Sequence, residues 1–139
     1  MAAHRHEIRV YYEDTDAGGV MYHAQYLAFA ERARSEALRA AGATAAELAR
    51  RHGIVFVVRR LEADYARPVR LDELVAVTTE LLELRGASVR LRQVLAVEGQ
   101  VRATLTVVLA FLRMADGRAV RLPEPWPGVL RELAVRDGS

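Results

Sequence analysis

The sequence predicts an α+β fold in which an antiparallel sheet carries one principal helix. Three observations point there. A short alternating segment opens the chain, a long alanine-rich helical segment follows, and consecutive alternating spans fill most of the remainder. The 139 residues and a hydrophobic fraction of 52% are enough for one domain with a real core, taken as residues 1–139.

Each element has its own signal. From His4 to Tyr12, Ile8, Val10 and Tyr12 share one face while Arg9 and Tyr11 share the other, which is strand periodicity. Glu13 to Gly19 is turn-rich. From His23 to Ala41 the period becomes helical: Leu27, Ala30, Ala33, Ala37, Leu38 and Ala41 form one face, and Glu31, Arg32, Ser35 and Arg39 another. Small side chains let such a helix lie close to a sheet, and Gly42 ends it. Thr44 and Glu47 form a capping box for a second, short helix that stops at Gly53. Strands are predicted over Ile54–Arg67, Leu74–Leu84, Ser88–Glu98 and Val101–Met114, with Glu98-Gly99 and Asp116-Gly117 as turns. In the last span both faces are apolar, which predicts a central strand. Pro123, Pro125 and Pro127 break the pattern before a helical turn near Val129–Leu133.

Composition excludes several classes of function. There are 20 basic and 18 acidic residues, a net charge of +2, so a dedicated nucleic-acid surface is not expected. Lys is absent, so every basic side chain is Arg. Cys is absent, which excludes disulfides, thiol nucleophiles and thiolate-bound zinc. No apolar run approaches a membrane span of about 20 residues, and no basic start precedes an apolar stretch. The expectation is a cytoplasmic protein without membrane insertion. No phosphate-binding glycine fingerprint and no G-x-S-x-G occur.

The chemistry concentrates in Tyr12-Glu13-Asp14-Thr15-Asp16-Ala17-Gly18-Gly19-Val20-Met21-Tyr22-His23, which joins the first strand to the long helix. As a calcium loop it fails, because Gly18 and Gln25 stand where acidic ligands are wanted. A divalent metal on Asp14, Asp16 and His23 needs the loop to fold back, so that His23 returns to the two carboxylates. The plain alternative is that both Asp residues are turn formers, with Gly18 and Gly19 supplying unusual dihedrals. Against it, the long helix has no Ser, Thr, Asn or Asp between Gly19 and His23 to cap it. Bare amides at a helix start carry partial positive charge, and a carboxylate lies just upstream. Donors aimed at a carbonyl oxygen beside a free carboxylate make a minimal acyl-transfer site.

The segment Tyr11 to Leu27, continuing through Glu31-Arg32-Ala33-Arg34, resembles the hotdog-fold acyl-CoA thioesterases. The match is to the YbgC-like branch of the 4-hydroxybenzoyl-CoA thioesterase family. The resemblance implies a long central helix wrapped by an antiparallel sheet, and a homodimer or homotetramer with sites at subunit boundaries. It implies an acyl-CoA substrate and no cofactor. Asp16 matches the catalytic carboxylate, acting as nucleophile or general base. His23 matches the helix-start residue whose N–H polarises the thioester carbonyl. Tyr12 is a candidate to line the pocket, and Tyr26 reads as packing. Glu31 lies eight residues past His23, roughly 12 Å along the axis, and reads as a salt-bridge residue. The turn Leu84-Arg85-Gly86-Ala87-Ser88 resembles the loop that meets the nucleotide of coenzyme A, making Arg85 and Ser88 binding candidates. Arg59, Arg60, Arg67, Arg90 and Arg92 are further cations for its phosphates. A non-catalytic module that binds acyl-CoA or an acyl carrier protein is the alternative.

Overall fold

Alternation carries the chain into the first strand, and a side chain stops it. Strand β1 (His4–Arg9) has Ile8 turned inward and leads to the fully buried Val10. The chain is a computed structural model describing residues 3–134. The strand ends before the expected Tyr12, because Tyr12–Asp14 wind into a single 3₁₀ turn. The Tyr11 N–H donates to the Asp14 carboxylate at 2.9 Å, a local bond that replaces a ladder bond.

Helix α1 (His23–Ala40) occupies the expected span, and Gly42 follows it at φ +76°. Ala30, Ala33, Ala37 and Leu38 are buried, as is Phe29. Helix α2 (Ala45–His52) keeps half of the expected capping box: the Glu47 N–H donates to the Thr44 hydroxyl at 3.1 Å, while the Glu47 carboxylate accepts from Arg50 rather than from the Thr44 N–H, and Gly53 closes the helix at φ +65°. Strands β2 (Ile54–Tyr65), β3 (Leu74–Arg85), β4 (Ser88–Val97) and β5 (Gln100–Arg113) follow. Helix α3 (Trp126–Arg131) starts earlier than the expected turn, because proline is tolerated in a first helical turn, where no amide donor is needed.

The five strands form one antiparallel sheet in the order β1-β3-β4-β5-β2. Strand β5 is interior, paired on both sides, but β4 is the middle strand. Ala103, Leu105, Val107, Leu109 and Phe111 of β5 are buried and the residues between them are half-buried. Strand β2 is an edge, and from Val57 to Tyr65 it is exposed.

Helix α1 lies across β1, β3 and β4. This is the hotdog arrangement that the resemblance implied. One polar pin fixes the helix on the sheet. Gln93 of β4, fully buried, donates through Nε2 to the Ala30 carbonyl at 2.8 Å and to the Thr79 hydroxyl at 2.9 Å. A buried amide satisfied on both sides specifies one seating of the helix.

The α2 cap yields a direct check. Thr44→Ala should lower stability by about 1 kcal/mol in chemical denaturation, and Thr44→Ser should retain most of it.

Candidate active site

The Asp14–His23 segment folds back on itself. Thr15 pairs with Met21 across a short antiparallel bridge, and the Asp16 N–H donates to the Val20 carbonyl at 2.9 Å. The Gly19 N–H donates to the Asp16 carbonyl at 3.1 Å, and Gly19 takes φ +76°, which only glycine adopts without strain. The β2–β3 connection backs this loop. The Met21 N–H donates to the Val69 carbonyl at 2.6 Å and the Leu71 N–H to the Gly19 carbonyl at 3.1 Å.

The two carboxylates have separate fates. Asp14 is buried, with both oxygens used: Oδ2 by the Tyr11 N–H and Oδ1 by the Gln25 side-chain amide at 2.6 Å. It therefore ties the loop to the first turn of α1 and is not free to share a metal with Asp16 and His23. Asp16 is exposed. Its Oδ1 accepts the Gly18 N–H at 2.8 Å and, more weakly, the Val20 N–H at 3.4 Å, while Oδ2 accepts no bond from the described residues. A Cβ at position 18 would stand 3.3 Å from Oδ1, so Gly18 leaves room for this arrangement.

Helix α1 begins bare. Tyr22 is the N-cap and makes no side-chain cap bond; its own N–H donates to the Asp14 carbonyl at 3.0 Å. The Gln25 N–H turns back to the Tyr22 carbonyl at 2.9 Å, and the amides of His23 and Ala24 have no partner among the described residues. The His23 ring is exposed, 4.5 Å from Tyr22 and 6.5 Å from Tyr65 between centroids. Tyr26 packs edge-on against Tyr65, and its hydroxyl accepts the Val69 N–H at 3.0 Å. The structure thus brings Asp16 and the helix start onto one loop. Tyr12 corrects the strand reading: it sits in the 3₁₀ turn, 82% exposed, and not on a strand face.

The comparisons converge on one family. A family model described as "Thioesterase-like superfamily" matches residues 10–133. The chain is 42% identical over 117 residues to "Acyl-CoA thioesterase YbgC" of Haemophilus influenzae, covering 84% of this chain and 86% of that one. It is 49% identical over 84 residues to "Acyl-CoA thioester hydrolase YbgC" of Escherichia coli O6:H1, covering 60% of this chain and 62% of the relative. The crystal structure of a probable thioesterase from Bartonella henselae superposes with a TM-score of 0.82 at 38% identity, over 88% of this chain and all of that one. The chain belongs to the thioesterase-like superfamily. It is a YbgC-like thioester hydrolase with the hotdog fold.

In this thioesterase the nucleotide-loop candidates lie elsewhere. Arg85 and Ser88 are at the tip of the β3–β4 hairpin, where Ser88 Oγ reaches the Arg85 carbonyl at 3.5 Å and Arg85 pairs with Glu83 at 3.4 Å. The Asp16 loop lies at the other end of β3, where Arg9 pairs with Leu74 and the β2–β3 connection backs the loop, a strand length of roughly 35 Å away. One chain does not bring them together. The exposed Arg67 and Arg70 are on the connection that backs the loop, and Val20 pairs with Arg70. Arg67 was among the expected cations; Arg70 was missed, because only the Val20–Arg70 pairing places it there. Glu31 forms no ion pair among the described residues, contrary to expectation; it lines an apolar cavity of about 330 Å³ beside α1. Neither Asp16 nor His23 lines that cavity. Arg34 does, its Nη1 donating to Gln93 Oε1 at 3.0 Å. Burial lowers the Arg34 pKa, and the Glu31 charge partly restores it.

A salt bridge clamps the connection behind the loop. Arg102 binds the Glu73 carboxylate with both terminal nitrogens, at 2.9 and 3.1 Å, and the Arg70 N–H donates to the same group. Burial pushes the Glu73 pKa up, but the bonds from Arg102 and Arg70 together outweigh it and hold the carboxyl below its usual range. A lowered folded-state pKa means stabilisation that is complete above the ordinary carboxylate range and lost as pH falls through the folded value. Wild type should therefore be more stable than Glu73→Gln at pH 7, and the gap should close on acidification below about pH 4, read by urea denaturation at each pH.

Proposed function

We propose that this thioesterase hydrolyses an acyl-CoA to a carboxylic acid and CoA at the Asp16 loop, with the bare start of α1 holding the carbonyl oxygen. The observation that carries the reading is a carboxylate with one oxygen tied and one free, on the loop that leads into uncapped helix amides. The His23 and Ala24 amides, with the helix dipole behind them, stabilise negative charge developing on the thioester oxygen. Asp16 Oδ2 then acts in one of two ways. As nucleophile it displaces the CoA thiolate and forms a mixed anhydride that water opens. As general base it takes a proton from the water that attacks.

A second copy completes the assembly in this proposal. Val57, Val58, Leu61 and Tyr65 are 36–49% exposed along the edge strand β2, beside Tyr22. An apolar edge with unpaired backbone groups is covered by pairing with an identical edge. The same assembly gives Arg85 and Ser88 a role, meeting the CoA of another subunit's site, while Arg67 and Arg70 face it from the same subunit.

Asp16→Asn should fold and lose hydrolysis by at least ~100-fold in a CoA-release assay across short-chain, long-chain and aromatic acyl-CoAs. Parental rates in that variant would remove Asp16 from the chemistry, and acyl-CoA binding without CoA release by wild type would favour a binding module. The helix amide has its own test. Position 23 is the first helical residue, where proline fits, and Tyr22 at φ −63°, ψ 136° already has a pre-proline conformation. His23→Pro removes the N–H and should cost about 100-fold in kcat beyond whatever His23→Ala costs. Sedimentation should show a dimer or larger, and Val58→Asp should shift it towards monomer with loss of activity.

A further inference from the structure

We propose that Arg34 reads the far end of the acyl group and favours chains that end in a hydrogen-bond acceptor. The inference rests on placing bond cleavage at Asp16 and His23; it concerns the opposite end of the same substrate.

The geometry begins with the helix. Arg34 is eleven residues, about three turns, beyond His23, so both project from nearly the same side of α1, about 16 Å apart along the axis. Strand β2 runs beside this side in the opposite sense. Its Tyr65 stands at the His23 ring, and its Val55, Phe56 and Val58 line the cavity that Arg34 enters. The main packing of α1 falls on β1, β3 and β4, and the path proposed for the acyl chain runs along its β2 side. A chain whose thioester sits at the helix start and whose tail follows α1 is led into the cavity.

The cavity is apolar except at one place. Leu38, Leu91, Leu109 and Leu130 are among its walls, while Arg34, Ser35 and Thr79 bring polar groups to one side. Arg34 carries five N–H donors and no acceptor, and among the described residues only its bond to Gln93 is made. The helix does not need that bond for its seating, because Gln93 already holds Ala30 and Thr79. Glu31 lines the same cavity yet does not close an ion pair with Arg34. A methyl end arriving here displaces water from the guanidinium and offers nothing in return. A terminal hydroxyl or carboxylate oxygen accepts the spare N–H groups. Sites built to bond a substrate oxygen reject analogues that lack it.

The test compares acyl-CoAs of matched medium chain length that end in methyl, hydroxyl or carboxylate. Wild type should show kcat/KM about tenfold higher for the oxygen-ended members than for the methyl-ended one. In Arg34→Met the ratio should fall to about one, and in Arg34→Lys part of it should return. Because the readout is a ratio within one protein, a general loss of activity does not imitate it, and a wild-type ratio of one overturns the inference even if both variants fold poorly. Equal wild-type rates for the three ends, or a preference that survives in folded Arg34→Met, overturns the inference. If Asp16→Asn is inactive and the wild-type ratio is one, only the role of Arg34 falls. If Asp16→Asn stays active while the ratio holds, the cleavage site has been misassigned, and the path from the helix start to Arg34 falls with it.

Discussion

The site depends on a buried carboxylate that takes no part in the proposed reaction. Asp14 accepts from the Tyr11 amide before the loop and from the Gln25 side chain in the first turn of α1, and its carbonyl accepts the Tyr22 N–H. Removing such an acceptor leaves two part-buried donors to solvent, at a cost below the about 1–3 kcal/mol of a fully buried one. These bonds fix where the strand stops, how the loop turns and where the helix begins. Once that is settled, Asp16 is free to stay exposed with an oxygen to spare.

The turns, not the D-x-D spacing, explain this division of labour. Two carboxylates at i and i+2 of a straight strand would point to the same face. The 3₁₀ turn at Tyr12–Asp14 places the first inside the protein, and the tight turn through Gly18 and Gly19 places the second at its surface. The helix is correspondingly left without a side-chain cap. Its donor end meets solvent, where a negatively charged group is favoured.

Much of this was legible in the residues. Alternation marked the strands and alanine spacing marked α1, because burial on one face imposes a period of two or 3.6. Thr44, Glu47 and Gly53 marked α2 through backbone rules that need no tertiary information. The matching motif pointed to Asp16 and His23. What stayed hidden depended on neighbours in space. Tyr12 continued the strand alternation, yet a single side-chain bond from Asp14 turned it outward. Both faces of β5 read as central, but pairing order alone decides that β4 is the middle and β2 the edge. The sequence offered the β3–β4 tip as a coenzyme A contact, but its distance from the Asp16 loop within one chain is set by strand length. Arg34 read as part of a motif, and its cavity came into view only with β2 beside it.

The separation between the hairpin tip and the Asp16 loop has a genetic consequence. If each site borrows its tip from a neighbour, a lesion at Asp16 and a lesion at Arg85 damage different halves of the same composite. Two crippled chains mixed together would then rebuild some whole sites between them, and the pair would complement where neither copy survives alone.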